Sequence, residues 1–199
     1  MNSQSATTNG PADAELVRRV TGGDSTAFAG IVERYQDRLY NAIYRLVGSA
    51  DDTRDLVQDT LVKAYENLAT FRGTSSLYTW LFRIAVNTSL SHRRKKKWVQ
   101  MGGPDSGDGD GQSAAATLAD PSAADPADRM LAAETESVVQ RALDGLDDEH
   151  RTVVVLRDIQ HLDYQDIAEI LEVPPGTVKS RLHRARLALR EKLEPLLRA

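Results

Sequence analysis

Apolar residues recur at steps of three and four along most of the chain, which is the spacing of an amphipathic helix. The clearest run follows Asp24, a good N-cap residue, and places apolar residues from Phe28 to Val47 before Gly48 ends it. Two more helices are predicted over about 52–68 and 77–96, separated by the turn-forming residues 71–75. Strand-like alternation and internal repeats are not found, so the predicted fold class is all-α.

The C-terminal part of the chain shows the same period, with predicted helices at about 129–143, 148–159, 163–171 and 176–195. Three consecutive valines at 153–155 are β-prone in isolation, which counts against the second of these helices. The spacing also predicts inward faces. These comprise Val57, Leu61, Ala64 and Leu68 in the helix over 52–68, and Tyr164, Ile167, Ala168 and Leu171 in the helix over 163–171.

A spacer separates these two helical parts. Residues 102–128 consist mainly of Gly, Ser, Ala, Pro and Asp, with Leu118 as the only large apolar residue. Such a segment cannot bury enough apolar surface to offset the entropy of ordering it. The sequence therefore predicts a disordered N-terminus at 1–12, a helical domain at 13–98, a flexible linker at 99–128 and a second helical domain at 129–199.

Charge is sorted along the chain, although the net charge is only −4. The spacer carries six aspartates and no basic residue, whereas residues 176–199 carry seven basic and two acidic residues. The absence of cysteine excludes disulfides, thiol nucleophiles and cysteine-ligated metal sites. Without a long apolar run or a secretory-type N-terminus, we expect a cytoplasmic protein with no membrane insertion.

The last two predicted helices have the layout of a helix-turn-helix. Pro174 and Pro175 end one helix and open the next, and small Ala168 lets the two approach closely. In such a motif the second helix places its N-terminal side chains in the DNA major groove. The candidates are Thr177, Lys179, Ser180, Arg181, His183 and Arg184. The alternative is a surface amphipathic helix with a solvated basic side.

The helix over 77–96 carries Trp80, Arg83, Asn87, Ser91 and Arg94 on one face and continues into a run of five cations at 93–97. Cations track phosphates, while an aromatic ring and an amide suit an unstacked base. The alternative interpretation places Trp80 in the core and leaves Asn87 as an ordinary surface residue.

An acidic stripe lies on the preceding helix, formed by Asp55, Gln58, Asp59 and Val62 at i, i+3, i+4 and i+7. Such a stripe repels phosphates, so it is either solvated surface or a docking face for a protein. Charge alone leaves both interpretations open.

Several motifs together resemble a known family. The segment Asp55–Lys96, with FRG, YTWL and IAVN, is similar to the second conserved region of bacterial sigma factors of the extracytoplasmic-function group. The segment Leu146–Leu193, with GTVKSR, is similar to their fourth region. The resemblance covers both helical parts, in the order of the family.

This resemblance implies a promoter-recognition subunit of RNA polymerase, active in an envelope or environmental stress regulon, with no catalytic residue, metal or cofactor. The acidic stripe would bind the β′ clamp helices of core polymerase, and the β flap would be a second contact. An anti-sigma factor would be a further partner. The loop at 70–75 would capture a flipped base of the minus-10 element in single-stranded promoter DNA. The residues implied there are Thr70, Phe71, Arg72, Gly73, Thr74, Ser75, Trp80, Arg83, Asn87, Arg93, Arg94 and Lys95. The helix-turn-helix residues would read the minus-35 duplex.

Two other functions are less consistent with the sequence. A stand-alone helix-turn-helix regulator needs a dimerisation surface to read two half-sites, and no candidate coiled coil is found. An enzyme such as a metal-dependent nuclease is not supported, because His92, His150, His161 and His183 show neither i,i+4 pairing nor an HExxH-type arrangement.

Overall fold

The computed structural model describes residues 10–102 and 126–197, and all regular elements in those two ranges are helical. The N-terminal unit comprises α1 (Pro11–Thr21), α2 (Phe28–Val47), α3 (Ala50–Asn67) and α4 (Leu77–Gln100), with short 3-10 turns at Ser25–Ala27 and Leu68–Thr70. The C-terminal unit comprises α5 (Pro126–Asp144), α6 (Asp148–Val154), α7 (Tyr164–Leu171) and α8 (Pro175–Leu196). The all-α prediction is confirmed over the described residues.

The predicted linker and N-terminal segment fall mostly outside the described residues, which omit 1–9 and 103–125. Residues 11 and 12 belong to α1, while 99–100 and 126–128 belong to α4 and α5. The three valines at 153–155 lie in helical backbone, because α6 continues into a π-helical turn over Val155–Ile159.

Side chains at the helix starts satisfy backbone N–H groups that have no partner within the helix. Ser49 accepts from the N–H of Asp52 at the start of α3, and Ser76 accepts from that of Thr79 at the start of α4. Asp147 and Asp163 act in the same way at α6 and α7. These caps fix where the chain enters α3, α4, α6 and α7.

Gly48 ends α2 as predicted, in a left-handed conformation with φ 75°. A side chain there is strained by roughly 1–2 kcal/mol. Its Cβ would also lie 3.1 Å from a carboxylate oxygen of Asp144 in the C-terminal unit. We expect Gly48→Ala to lower the free energy of unfolding by about 1–2 kcal/mol in urea titrations followed by circular dichroism.

Gly176→Ala is the matched control, because Gly176 has open space around its Cβ position and an ordinary helical φ. It should leave stability unchanged or raise it slightly. Equal losses from the two variants would contradict the role given to Gly48.

Helix α1 was not predicted, although Pro11 at its first turn and the apolar trio Leu16, Val17 and Val20 were signals for it. It is fixed to α2 through Asp13, whose carboxylate accepts from Tyr35 at 2.7 Å and from Arg34 at 2.6 Å. Burial, followed by the bond to Asp13, raises the pKa of Tyr35. This neutral phenol therefore acts as a hydrogen-bond donor.

Two predicted inward faces need correction. In the helix predicted over 52–68, Ala64 and Leu68 are buried as predicted, but Val57 and Leu61 are only partly buried. The other buried residues of α3 are Ala50, Thr53, Leu56 and Thr60. In α7 the side chain of Tyr164 is exposed and lies under the guanidinium of Arg157, while Asp166 is buried in its place. The apolar period found both helices and half of each predicted inward face, including Ile167 and Ala168 of α7, but misplaced the rest.

The two units share one hydrophobic core. Leu156, Leu162 and Ile167 of the C-terminal unit are fully buried in the same cluster as Leu81 and Phe82 of α4. Helix α7 lies on α4, and α8 packs on α7. The units are therefore in direct contact, which the prediction of two tethered modules did not include.

Candidate nucleic-acid and protein-binding surfaces

The helix-turn-helix forms as predicted from α7, a tight turn and α8. Glu172 closes α7 in a left-handed conformation with φ 55°, and the N–H of Val173 returns to the carbonyl of Ala168. Helix α8 then begins at Pro175 and is anchored by the buried side chains of Val178 and Leu182. The turn between α7 and α8 therefore contains a residue in a strained backbone conformation, Glu172, as well as two prolines.

The N-terminal half of α8 exposes what we call the recognition surface, formed by Lys179, Ser180, His183 and Arg184. The Ser180 hydroxyl and the Arg184 Nε donate to backbone carbonyls of their own helix, at 3.0 and 3.3 Å. Thr177 is half-buried, and Arg181 forms an ion pair with Glu149 of α6 at 3.2 Å. Four of the six predicted side chains are thus exposed on the outer face of α8.

A second surface is a pocket of about 310 Å³ beside α4, here called the α4 pocket, lined by Lys63, Asn67, Thr70, Trp80, Ile84, Asn87 and Thr88. The rings of Phe71 and Trp80 lie 5.4 Å apart next to it. The Lys63 ammonium donates to the Thr88 hydroxyl at 3.3 Å. An aromatic wall with amide and ammonium groups is the chemistry that holds an unstacked base.

The predicted residues Thr70, Trp80 and Asn87 are thus brought together in the α4 pocket, but its other four members were missed. Ile84 and Thr88 lie on α4 but do not belong to the predicted face, and Lys63 and Asn67 come from α3, which a pattern within one helix cannot report. The loop residues Arg72, Gly73 and Thr74 are exposed beside it, and Ser75 is half-buried.

The basic residues of α4 are divided in the structure. Arg83 forms an ion pair with Glu169 of α7 at 2.7 Å, and Arg93 forms one with Asp148 of α6 at 2.6 Å. Lys96 is paired with Asp52 of α3 at 2.9 Å. Arg94, Lys95 and Lys97 are exposed. In this arrangement Arg83 and Arg93 are therefore turned toward carboxylates of the C-terminal unit.

The acidic stripe on α3 borders an apolar depression of about 520 Å³, here called the α3 groove, lined by Phe28, Arg54, Val57, Gln58, Leu61, Val62, Tyr65 and Glu66. Val62 and Tyr65 are nearly half exposed, at 48% and 46%. Asp55 and Asp59 are exposed on the same helix. An exposed apolar floor, with exposed carboxylates on the same helix, is suited to binding a protein.

Within residues 10–102 and 126–197, no group of three or more His, Cys, Asp or Glu residues converges as a metal site would require. Among the helices in the described ranges, none is long and apolar enough to cross a membrane.

Comparison with known proteins matches both units. Residues 31–99 match the family model of Sigma-70 region 2, and residues 137–189 match that of Sigma-70, region 4. The RNA polymerase sigma-H factor of Pseudomonas aeruginosa is 38% identical over 190 residues, which cover 94% of this chain and 96% of that protein. The ECF RNA polymerase sigma-E factor of Escherichia coli K12 is 40% identical over 192 residues, with 94% and 96% covered.

Solved structures show the same fold. CnrH in complex with the cytosolic domain of CnrY superimposes with a TM-score of 0.67 at 26% identity, over 93% of this chain and 99% of that one. The sigma factor RpoE of Bartonella quintana, solved with the anti-sigma factor NepR, gives 0.65 at 30% identity, over 84% and 96%. Both similarities extend over the N-terminal and C-terminal units.

Proposed function

The chain belongs to the sigma-70 family of RNA polymerase sigma factors, in the extracytoplasmic-function group, and we propose that its two units divide promoter recognition between them. A sigma factor directs core polymerase to promoters and is not itself an enzyme. Family membership therefore excludes the stand-alone regulator as an alternative. The observation that supports the division is that each unit carries its own candidate DNA-binding surface, the α4 pocket and the recognition surface.

The recognition surface binds the minus-35 duplex in this proposal. Helix α8 is anchored by the buried side chains of Val178 and Leu182, so its exposed basic face can enter a major groove as one rigid element. Arginine is well suited to reading guanine there, because its guanidinium donates two parallel hydrogen bonds to the base edge.

We expect Arg184→Ala to weaken binding to a minus-35 duplex by about 1–3 kcal/mol, if its guanidinium contacts a base edge. Fluorescence anisotropy with a labelled duplex measures this loss. Arg190→Ala is the matched control, because Arg190 is also exposed on α8 but lies beyond the N-terminal turns. Unchanged affinity for the Arg184 variant would remove that residue from the site.

The α4 pocket receives an unpaired base of the minus-10 element. Unpairing and unstacking a base costs a few kcal/mol, and trapping that base offsets part of this cost. DNA melting then needs binding energy alone and no covalent step. Phe71 and Trp80 supply the aromatic contact, Asn87 supplies an amide for the base edge, and Lys63 adds a cation that the sequence pattern missed.

The α3 groove docks core polymerase through the β′ clamp helices. Its apolar floor supplies area to bury, and Asp55, Gln58 and Asp59 on the same exposed face select a basic partner. Core polymerase and promoter DNA are thus the principal partners, with the β flap as the second polymerase contact. This function places the chain in the cytoplasm.

An anti-sigma factor is a further proposed partner, because the RpoE protein of Bartonella quintana was solved in such a complex and resembles this chain over both units. Run-off transcription with purified core polymerase, with and without this chain, on a promoter library tests the function as a whole. Unchanged start sites on addition of the chain would overturn it.

A further inference from the structure

Helix α4 carries an exposed tryptophan, Trp98, near its carboxyl end, and this residue has no role in the proposed function. Its exposed fraction is 56%. The other tryptophan of the chain, Trp80, is partly buried and lies beside Phe71, with the two ring centroids 5.4 Å apart. The Trp98 ring is thus a large apolar surface that a binding partner can cover.

Trp98 lies on the same face of α4 as the α4 pocket. An α-helix turns by about 100° per residue, so the eleven residues from Asn87 to Trp98 change the direction of the side chain by only about 20°. The same stripe of the helix surface, within about 60°, carries Trp80, Asn87, Ser91, Arg94 and Trp98. The face that begins at the α4 pocket therefore continues to the end of the helix.

Exposed cations lie beside Trp98. Arg94 precedes it by one turn on the same stripe, Lys97 is its neighbour in sequence, and both side chains are exposed. The Arg94 guanidinium donates to the Ser91 hydroxyl at 3.3 Å, which keeps it within the stripe. Cations that follow a helix face toward an aromatic ring are the groups that bind a single strand of DNA through its phosphates and bases.

A strand that leaves the α4 pocket along this stripe reaches Trp98 after a few nucleotides. The helix rises by about 1.5 Å per residue, so Asn87 and Trp98 are about 16–17 Å apart along its axis. Stacked nucleotides rise by about 3.4 Å each, so the strand between the two residues contains at most about five nucleotides. An aromatic ring at that point can stack on any base, because every base has a π-face.

We propose that Trp98 is a second stacking site for single-stranded promoter DNA. It stacks on one base at most about five nucleotides from the base held in the α4 pocket, and Arg94 and Lys97 bind phosphates beside it. An acidic protein or an anionic membrane would also be attracted by these side chains, but neither explains why they continue the face of the α4 pocket. The inference rests on the proposed function, because the α4 pocket fixes where the bound strand starts.

Removal of single bases from the DNA locates the stacked base. The DNA is a labelled single strand that spans the minus-10 element of a promoter selected by run-off transcription, with one base removed at each position in turn. Fluorescence anisotropy measures its affinity for the chain bound to core polymerase. We expect two sensitive positions, one for the α4 pocket and one at most about five nucleotides away.

Trp98→Ala should weaken binding of the intact strand about 5- to 150-fold, because it removes the ring that stacks on a base. It should not weaken binding of the strand that lacks the second base. Trp98→Phe retains a ring and should keep most of the affinity. Met101→Ala is the matched control, because Met101 is 76% exposed just after α4 but has no ring, and it should leave the affinity unchanged.

The possible outcomes separate stacking from other roles. Equal losses by Trp98→Ala on the intact and the base-deleted strand would overturn the stacking site, as would an equal loss in the Met101 variant. Gel filtration with core polymerase should show unchanged binding of the Trp98→Ala chain, and a loss there would indicate a protein contact and overturn the DNA assignment.

The same base-removal series distinguishes this inference from the proposed function. A sensitive position that depends on Asn87, with no second position, would overturn the stacking site alone. No sensitive position at all would overturn base capture by the α4 pocket, and the stacking site with it.

Lys97→Gln tests the phosphate contact. It should weaken binding of intact and base-deleted strands alike, and it should reduce the slope of log affinity against log salt concentration by about 0.7. Lys192→Gln makes the same change in net charge at an exposed lysine of α8 and should leave that slope unchanged. Equal changes in the two variants would indicate a general effect of charge and contradict the contact at Lys97.

Discussion

Charge reversal at Asp55 and Asp59 is expected to abolish co-purification of the chain with core RNA polymerase while its helical content stays intact. Both carboxylates are exposed on α3, so neither substitution disturbs the core. The buried face of the helix, with Leu56 and Ala64, is untouched. The two introduced arginines would face the basic surface of the partner to which we propose that the acidic stripe binds. Like charges in an interface cost several kcal/mol, which lowers affinity more than about 100-fold.

The matched control is Glu33→Arg with Asp37→Arg, which makes the same change in net charge on the exposed face of α2. Its binding to immobilised core polymerase should equal that of the unchanged chain. Retained binding by the Asp55 and Asp59 variant would overturn the docking assignment. A separate substitution, Val62→Ser, tests in the same binding measurement whether the apolar floor of the α3 groove contributes to the contact.

Asn87→Ala should reduce open-complex formation more than it reduces polymerase binding. The side chain is exposed at the rim of the α4 pocket, where an amide can form two hydrogen bonds with a base edge. Such a contact is worth about 1–3 kcal/mol, or roughly a 5- to 150-fold change. Permanganate footprinting of melted promoter DNA measures open complexes, and gel filtration with core polymerase measures binding.

Asn41→Ala serves as the control, because Asn41 is an exposed asparagine on α2, away from the α4 pocket. It should leave both measurements unchanged. Equal losses of binding and melting in the Asn87 variant would count against the base-reading role, because they would indicate a general defect. A loss confined to melting would support it.

Except for α1, the order and type of the helices could be predicted because each signal is local. Gly48 ends α2, proline opens α8, and the three-four period runs through both units. Inward faces were harder to predict. Apolar residues occur both where a helix packs on a core and where it lines an exposed groove. The apolar period therefore could not show that Leu56 is buried in the core while Val57 and Leu61 line the α3 groove.

The candidate sites could be predicted only in part, for a similar reason. The face of α4 that carries Trp80 and Asn87 follows from spacing along one helix. That Lys63 completes the α4 pocket, or that Glu169 meets Arg83 across 86 residues of chain, depends on tertiary packing. Local patterns identify the residue types that a site needs, and packing decides which of them meet.

The pairing of Arg83 and Arg93 with carboxylates affects how promoter binding responds to ionic strength. A lysine or arginine that meets a phosphate normally displaces condensed counterions from the DNA, and this release makes binding weaker in salt. If Arg83 and Arg93 bind promoter phosphates as the sequence predicts, they exchange one anion for another, and the freed carboxylates of Glu169 and Asp148 attract cations in their turn. The net number of ions released is then smaller than the number of phosphate contacts, so promoter engagement tolerates salt better than those contacts alone predict.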